Sequence, residues 1–183
     1  MAQTPESHYD LVDEHDNMLG RTAAYSEVHN GGLWHRGVHV IVYTPDGRIV
    51  MQKRAPTLAY HPNEVEISVG GGVDAGETTE QAAIREVKEE LGVAINPKEL
   101  RFLGKTVYNH RNRARLNRTF IYSYSVCVDP NRLRFVINPR ETAAAFMISK
   151  RGLKTALSMH RIKNIGRITS QYAYWRHMLD AVP

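Results

Sequence analysis

Gly71–Val93 reads GGVDAGETTEQAAIREVKEELGV, a glycine-rich turn running into an acidic amphipathic helix. Thr78 can serve as N-cap and Gln81, three residues on, completes a capping-box pattern. The spacing therefore predicts a helix over Thr79–Leu91, stopped by Gly92. Ala83, Ile84, Val87 and Leu91 form its apolar stripe. Glu86, Glu89 and Glu90 stand at i, i+3 and i+4 and share a face. Like charges at these spacings repel by roughly a few tenths of a kcal/mol per pair, and a divalent cation turns that repulsion into binding. Oxygen ligands favour Mg²⁺, with Mn²⁺ the alternative, and Arg85 and Lys88 are placed to orient or partly neutralise the cluster. A glutamate-rich helix face is more often merely solvated. The glycines ahead of it shift the balance, because they let backbone approach a ligand or metal.

Outward from this segment, the chain reads as alternating strands and helices. His8–Val12 reads as a strand, with polar turn residues to Gly20, and Thr22–Val28 as one or two helical turns before Asn30-Gly31-Gly32. Val38–Thr44 and Arg48–Lys53 flank Pro45-Asp46-Gly47, a hairpin signal. Val65–Val69 alternates before Gly70–Gly72. Leu100–Tyr108, Arg118–Val128 and Ala143–Ile148 read as strands, and Lys150–His160 and Ser170–Ala181 as helices. The expectation is a mixed α/β domain over 1–183 with a helical extension from about 150.

The 183 residues, 42% hydrophobic and 23% charged, suit one globular domain and exclude fibrous or largely disordered classes. No apolar run approaches the roughly 18–20 residues of a membrane helix. The polar start, Met1–Asp10, lacks the pattern of a secretory signal, and a lone Cys127 fits a reducing cytoplasm. Cys127 alternates with aromatics and reads as a small buried hydrophobe. The net charge of +5 hides an asymmetry: residues 1–93 hold 7 Lys+Arg against 15 Asp+Glu, and residues 94–183 hold 17 against 4. An acidic metal site beside a basic anion-binding surface explains such a split, as does a nucleic-acid-binding tail or two solvated surfaces.

Gly71, Glu77, Arg85, Glu86, Val87, Glu89, Glu90, Gly92 and Val93 meet every specified position of G-x5-E-x7-R-E-U-x-E-E-x-G-U, where U is a bulky aliphatic residue. The segment thus resembles the box of the Nudix hydrolases. The resemblance implies an α/β/α sandwich around a mixed sheet, with residues 71–93 as a loop–helix–loop. It also implies that Glu86, Glu89, Glu90 and the Gly71 carbonyl bind Mg²⁺ across a substrate diphosphate, supported by Glu77 and Arg85. A metal-bound diphosphate can be cleaved by water once a carboxylate takes the water's proton. Glu89 is the candidate base and Glu141, outside the box, the second.

Tyr9–Gly20, the His29/His35 pair and Val38–Arg54 are similar to a branch containing isopentenyl-diphosphate isomerases and isomerase-like hydrolases. The isomerases need a cysteine, a histidine-rich metal site and a late acidic pair. Here Gly70 stands at the cysteine position and Gly72 at a metal-binding histidine. Between Glu99 and Asp129 there is no acidic residue. Hydrolysis of a nucleoside-diphosphate-linked or related organic pyrophosphate is therefore expected over isomerisation. His29 and His35 are taken as loop histidines.

Arg111, Arg113, Arg115 and Arg118, with Lys105, His110 and the earlier Arg54, are candidates for the substrate's anionic groups, since a guanidinium fork suits phosphate. Asn109 and Asn117 are candidates for substrate contact. Arg161, Lys163 and Arg167 form a second basic patch. A nucleotide- or RNA-binding module without catalysis is the competing reading. It does not require three metal-facing carboxylates, and no evident stacking platform supports it. Tyr172, Tyr174 and Trp175 suggest core packing or a homodimer contact, and Trp34 either packing or base stacking.

Overall fold

The structure, a computed structural model, describes residues 6–58, 61–112, 115–135, 139–168, 172–180 and 182. In chain order the elements are β1 (His8–Val12), β2 (Met18–Ala24), α1 (Tyr25–Gly31), β3 (Trp34–Tyr43), β4 (Arg48–Arg54), β5 (Val65–Ile67), β6 (Val69–Gly72) and α2 (Thr79–Leu91). There follow β7 (Arg101–Asn112), β8 (Arg115–Cys127), β9 (Thr142–Ser149), α3 (Lys150–Met159), β10 (Arg161–Ile162), β11 (Gly166–Arg167) and α4 (Tyr172–Asp180).

Alternation along β3 sorts the molecule into layers. Val38, Val40 and Val42 join Ala83, Val87 and Leu91 of α2 in one core. Ile41 belongs to a second core with Leu153 and Leu157 of α3 and Trp175, Met178 and Leu179 of α4. Successive strand side chains point to opposite faces, so one strand of β-branched residues supplies both cores. The result is an α/β/α sandwich around a mixed sheet. β3 runs antiparallel to β6 and parallel to β8, and β4 pairs antiparallel with β5 and β9.

The Pro45-Asp46-Gly47 hairpin holds β3 and β4 together only at its mouth, through Tyr43↔Ile49. Beyond it the strands diverge, and the run from β5 to β6 crosses from one to the other at Ser68. The buried Ser68 hydroxyl donates to Val50 O at 2.6 Å and accepts from Val42 N at 2.8 Å, so both strands stay satisfied at the fork. This fork exposes the edge on which the site is built.

Some local expectations change. Thr22–Ala24 lies in β2, paired through Thr22↔Asp10 and Ala24↔His8, and α1 starts only at Tyr25. A partner strand outweighs weak helical propensity. The segment from 150 contains α3 and α4 but also the hairpin β10–β11. Cys127 is exposed, because it ends β8 on the face opposite the buried Val126 and Val128. Trp175 is buried, and Tyr174 hydrogen-bonds Ser123, so this pair packs α4 onto the sheet.

The β1–β2 turn is tied to the sheet by charge. Asp16, in the left-handed region at φ 71°, accepts from Arg36 at 2.7 Å, Lys105 at 2.8 Å and Tyr122 at 2.5 Å. Burial pushes its carboxyl up, but hydrogen bonds from Lys105, Tyr122 and Arg36 outweigh this and hold it below its ordinary value.

Candidate active site

Helix α2 starts where the sequence predicts. Thr78 Oγ1 accepts from Gln81 N and Gln81 Oε1 accepts from Thr78 N, closing both halves of the capping box. Gly92 caps the far end at φ 67°. The apolar stripe seated in the core turns Glu86 and Glu90 toward β6 and β4.

Gly71 and Glu86 meet so closely that a Cβ on Gly71 would overlap the Glu86 carboxyl group. Arg85 gathers the surroundings. Its Nε and Nη2 donate to the two Glu77 carboxylate oxygens, each at 2.9 Å, and Nη2 also donates to Gly72 O at 2.9 Å. Its Nη1 donates to Glu86 at 2.7 Å and to Glu89 at 3.4 Å. The hydrogen bonds to Glu77 lead in raising the guanidinium above its usual range. Burial pushes Glu77 up, but Arg85 overcomes this and holds it below its ordinary value. At Glu86 burial wins over Arg85, and its carboxyl is raised.

Glu90 is a strongly perturbed carboxyl group of the site. Burial first, and the neighbouring Glu86 charge second, raise it to about 9 against the opposing hydrogen bond from Gln52. Gln52 is itself fixed by donation to Ser68 O at 2.6 Å and acceptance from Thr142 at 2.5 Å. Glu66 and Glu141 lie within electrostatic reach of Glu90. Glu66 stands opposite Gln52 in the β4–β5 register and pairs with Arg54 at 2.6 Å, yet burial still raises its carboxyl.

Among the described residues no three His, Cys, Asp or Glu side chains converge closely enough to hold a metal ion. Glu86 is turned to Arg85, Glu90 to Gln52, and Glu89 is 59% exposed. The residues nevertheless fit a hard divalent cation by donor chemistry. Two largely buried carboxyl groups are raised by burial first and by neighbouring carboxylates second, and the Gly71 backbone borders Glu86 with no side chain intervening.

A cavity of about 270 Å³ adjoins this cluster and shares Gly70–Gly72, Arg54 and Glu66 with its surroundings. Its floor includes His35, Gly37 and His39 of β3 and Thr119 and Ile121 of β8, and Tyr9 and Trp175 also line it. His29 and His35 are buried cavity residues with ring centroids 5.1 Å apart. Asn117 lines it and Asn109 is not among its lining. His39 Nδ1, His61 Nε2 and Trp175 Nε1 are sealed polar atoms without a hydrogen-bond partner, all on residues that line this cavity.

Of the five candidate arginines, Arg54 lines the cavity. Arg118 instead stacks over Trp34 at 5.8 Å, and Trp34 packs on Phe120. Arg111 and Arg115 lie in the β7–β8 hairpin at Arg111↔Leu116 and Asn112↔Arg115, but their side chains, and all of Arg113, fall outside the described residues. The His110 side chain does too. Lys105 is bound to Asp16. Arg161, Lys163 and Arg167 are exposed on or beside β10–β11. Sequence reasoning missed Gln52 and Glu66. Glu66 carried a signal, as a charged residue alternating with buried Val65 and Ile67.

Burial lowers His35 and His39 to about 4, so both are neutral at pH 7. The unfolded chain binds more protons than the folded one between about pH 4 and 6.5, so stability rises with pH across that window. It is fully present above pH 6.5 and lost as pH falls toward 4. Moving from pH 7 to pH 5 is expected to cost about 2 kcal/mol per imidazole, read by urea unfolding. An unfolding free energy that does not fall over this range contradicts burial of the neutral rings.

Comparison with known proteins gives the same picture. A NUDIX domain profile matches residues 33–164. An uncharacterised Nudix hydrolase of Clostridium acetobutylicum is 34% identical over 125 residues, covering 66% of this chain and 60% of that protein. One of Streptomyces coelicolor is 39% identical over 100 residues, covering 55% and 54%. The chain thus spans a little over half the length of these relatives. A crystal structure from Deinococcus radiodurans superposes with a TM-score of 0.69 at 22% identity, covering 93% of this chain and 98% of that one. The profile takes in β3, the glycine strand and the whole of α2, the elements that place Gly71 against Glu86; the chain belongs to the NUDIX domain family.

Proposed function

We propose that the chain, acting as one unit over 1–183, hydrolyses a phosphoanhydride bond in a nucleoside-diphosphate-linked or related organic pyrophosphate. The observation that carries this reading is the meeting of crowded, largely buried box carboxyl groups and a polar cavity at one glycine strand, Gly70–Gly72. The diphosphate spans the box, and the rest of the substrate occupies the cavity.

The Gly71 carbonyl, Glu86, Glu89 and Glu90 would hold Mg²⁺, with Mn²⁺ as the alternative. The ion, when bound, neutralises phosphate charge and lowers the pKa of water. Arg85 fixes Glu86 beside Gly71 and spans Glu77 and the Gly72 carbonyl, so the cradle is formed before substrate arrives. Glu89, the exposed member of the three, takes the proton of the attacking water. Glu141 is the second candidate, exposed just before Thr142, whose hydroxyl holds Gln52. Arg54 and the β7–β8 arginines serve the anionic end of the substrate. The unpaired thiol and the absence among described residues of a helix able to cross a membrane fit the cytoplasm.

The isomerase alternative meets a steric obstacle. A Cβ at Gly70 would lie 2.9 Å from the His39 ring, and one at Gly72 would lie 2.5 Å from the Tyr9 ring. Both places where isomerase side chains would stand are filled by other residues, which supports hydrolysis.

The test is a Mg²⁺-dependent screen over nucleoside di- and triphosphates, nucleotide sugars, dinucleotides, coenzyme A and isoprenoid diphosphates. Wild type is expected to release phosphate or nucleotide products from at least one of them. Glu89→Gln is expected to lower that rate roughly 10²–10⁴-fold and Glu141→Gln much less. The reverse order moves the base to Glu141. Isomerisation of isopentenyl diphosphate with no hydrolysis overturns the reading.

A further inference from the structure

We propose that the Tyr9 hydroxyl donates a hydrogen bond to a phosphate oxygen of the substrate, at the junction between the box and the cavity. This rests on the hydrolase reading for the identity of the anion, and on the following geometry for the residue.

Tyr9 comes from β1, far in sequence from the box, and an isolated bridge to Asp74 brings it alongside. Its ring stacks on His35 at 5.4 Å with 10° between planes, and meets Tyr25 and His29 edge to face at 6.2 and 6.4 Å. The residue is 7% exposed, so the ring is held on several sides. At Gly72 a Cβ would stand 2.5 Å from the ring and 2.6 Å from its hydroxyl oxygen. Glycine at 72 and tyrosine at 9 are therefore matched: the phenol occupies the space a side chain on β6 would take.

The hydroxyl itself has no packing explanation. It has no hydrogen-bond partner among the described residues, and it is not one of the sealed polar atoms. Tyr9 lines the cavity, as does Gly72, the glycine beside which the hydroxyl lies. The fold makes no use of this hydroxyl, and phenylalanine would fill the same space with the same ring contacts. A phenol is protonated at neutral pH, so the group is a donor. A donor fixed beside Gly72, one residue from the Gly71 carbonyl, suits an anionic oxygen on the cavity side of the diphosphate.

The test is Tyr9→Phe, which preserves the ring. Its affinity for a non-hydrolysable methylene-bridged nucleoside diphosphate, with Mg²⁺ and by calorimetry, is expected to fall roughly 10–100-fold. Its melting temperature without ligand is expected to equal or exceed that of wild type. Unchanged affinity overturns the proposal. So does a lowered melting temperature, which would show that the hydroxyl serves the fold. Cleavage is scored separately on wild type. Cleavage with unchanged Tyr9→Phe affinity removes the tyrosine contact and leaves the hydrolase reading. Affinity lost in Tyr9→Phe with no substrate cleaved by wild type keeps the contact and removes hydrolysis.

Discussion

Glu90→Gln is expected to lower hydrolysis roughly 10²–10⁴-fold while leaving the metal-free fold as stable as wild type or more so. The two halves of this expectation have one cause. Glu90 is crowded by burial and by Glu86, with Glu66 and Glu141 adding to the negative field. An ionised carboxylate there is unfavourable until a cation arrives. Glutamine keeps the shape, still accepts from Gln52 Nε2, and removes the cost of holding a carboxyl group protonated at neutral pH. It also removes an anionic ligand that a divalent ion needs. Thermal melts across a Mg²⁺ titration check this directly. Wild type gains melting temperature as the ion binds the folded state, and the variant gains less. Equal Mg²⁺ response and equal turnover in both proteins would place the metal elsewhere.

Arg85→Leu carries the second large effect, on fold and chemistry together. The guanidinium satisfies both Glu77 oxygens, the Gly72 carbonyl and Glu86 at once. Removing it strands two mostly buried carboxylates and one backbone acceptor. Arg85 is 24% exposed, with Glu77 at 23% and Glu86 at 12%, so water relieves part of the loss. The expected destabilisation is about 2–3 kcal/mol by urea unfolding. Turnover is expected to fall about 10²-fold in whatever fraction remains folded, because Glu86 loses its orienting donor. Arg85→Lys should not restore either property, since one ammonium cannot reproduce the fork that grips Glu77. Full rescue by lysine would reduce Arg85 to a generic counter-charge.

The charge asymmetry between the two halves of the chain acquires partial meaning in three dimensions. The acidic half supplies the crowded carboxyl groups of the site, including Glu66 from a strand. Among the described residues, the cations of the basic half do not collect at one place. Lys105 ties Asp16, Arg118 lies over Trp34, and Arg161, Lys163 and Arg167 stand exposed near β10–β11. Nothing in the structure explains the whole basic excess.

Legibility followed the range of the interactions concerned. The limits of α2, its caps and the shared face of Glu86, Glu89 and Glu90 depend on neighbours within four residues, so a linear reading captures them. The hairpin at Pro45-Asp46-Gly47 was legible for the same reason, as was β9. The start of α1 was not, because β2 exists through its pairing with β1. Nor was the exposure of Cys127, which depends on where helical cover ends above a strand.

By itself, the sequence determined the box helix, its carboxylate face and the layered α/β character, because capping, periodicity and turn chemistry are local and repeat with fixed spacing. Only the tertiary structure decided what surrounds that face. It set Gly71 against Glu86, brought Gln52 and Glu66 to Glu90, and filled the space beside Gly70 and Gly72 with His39 and Tyr9. Those groups come from strands widely separated along the chain. Their meeting is set by sheet register and by the fork between β3 and β4, which no local pattern records.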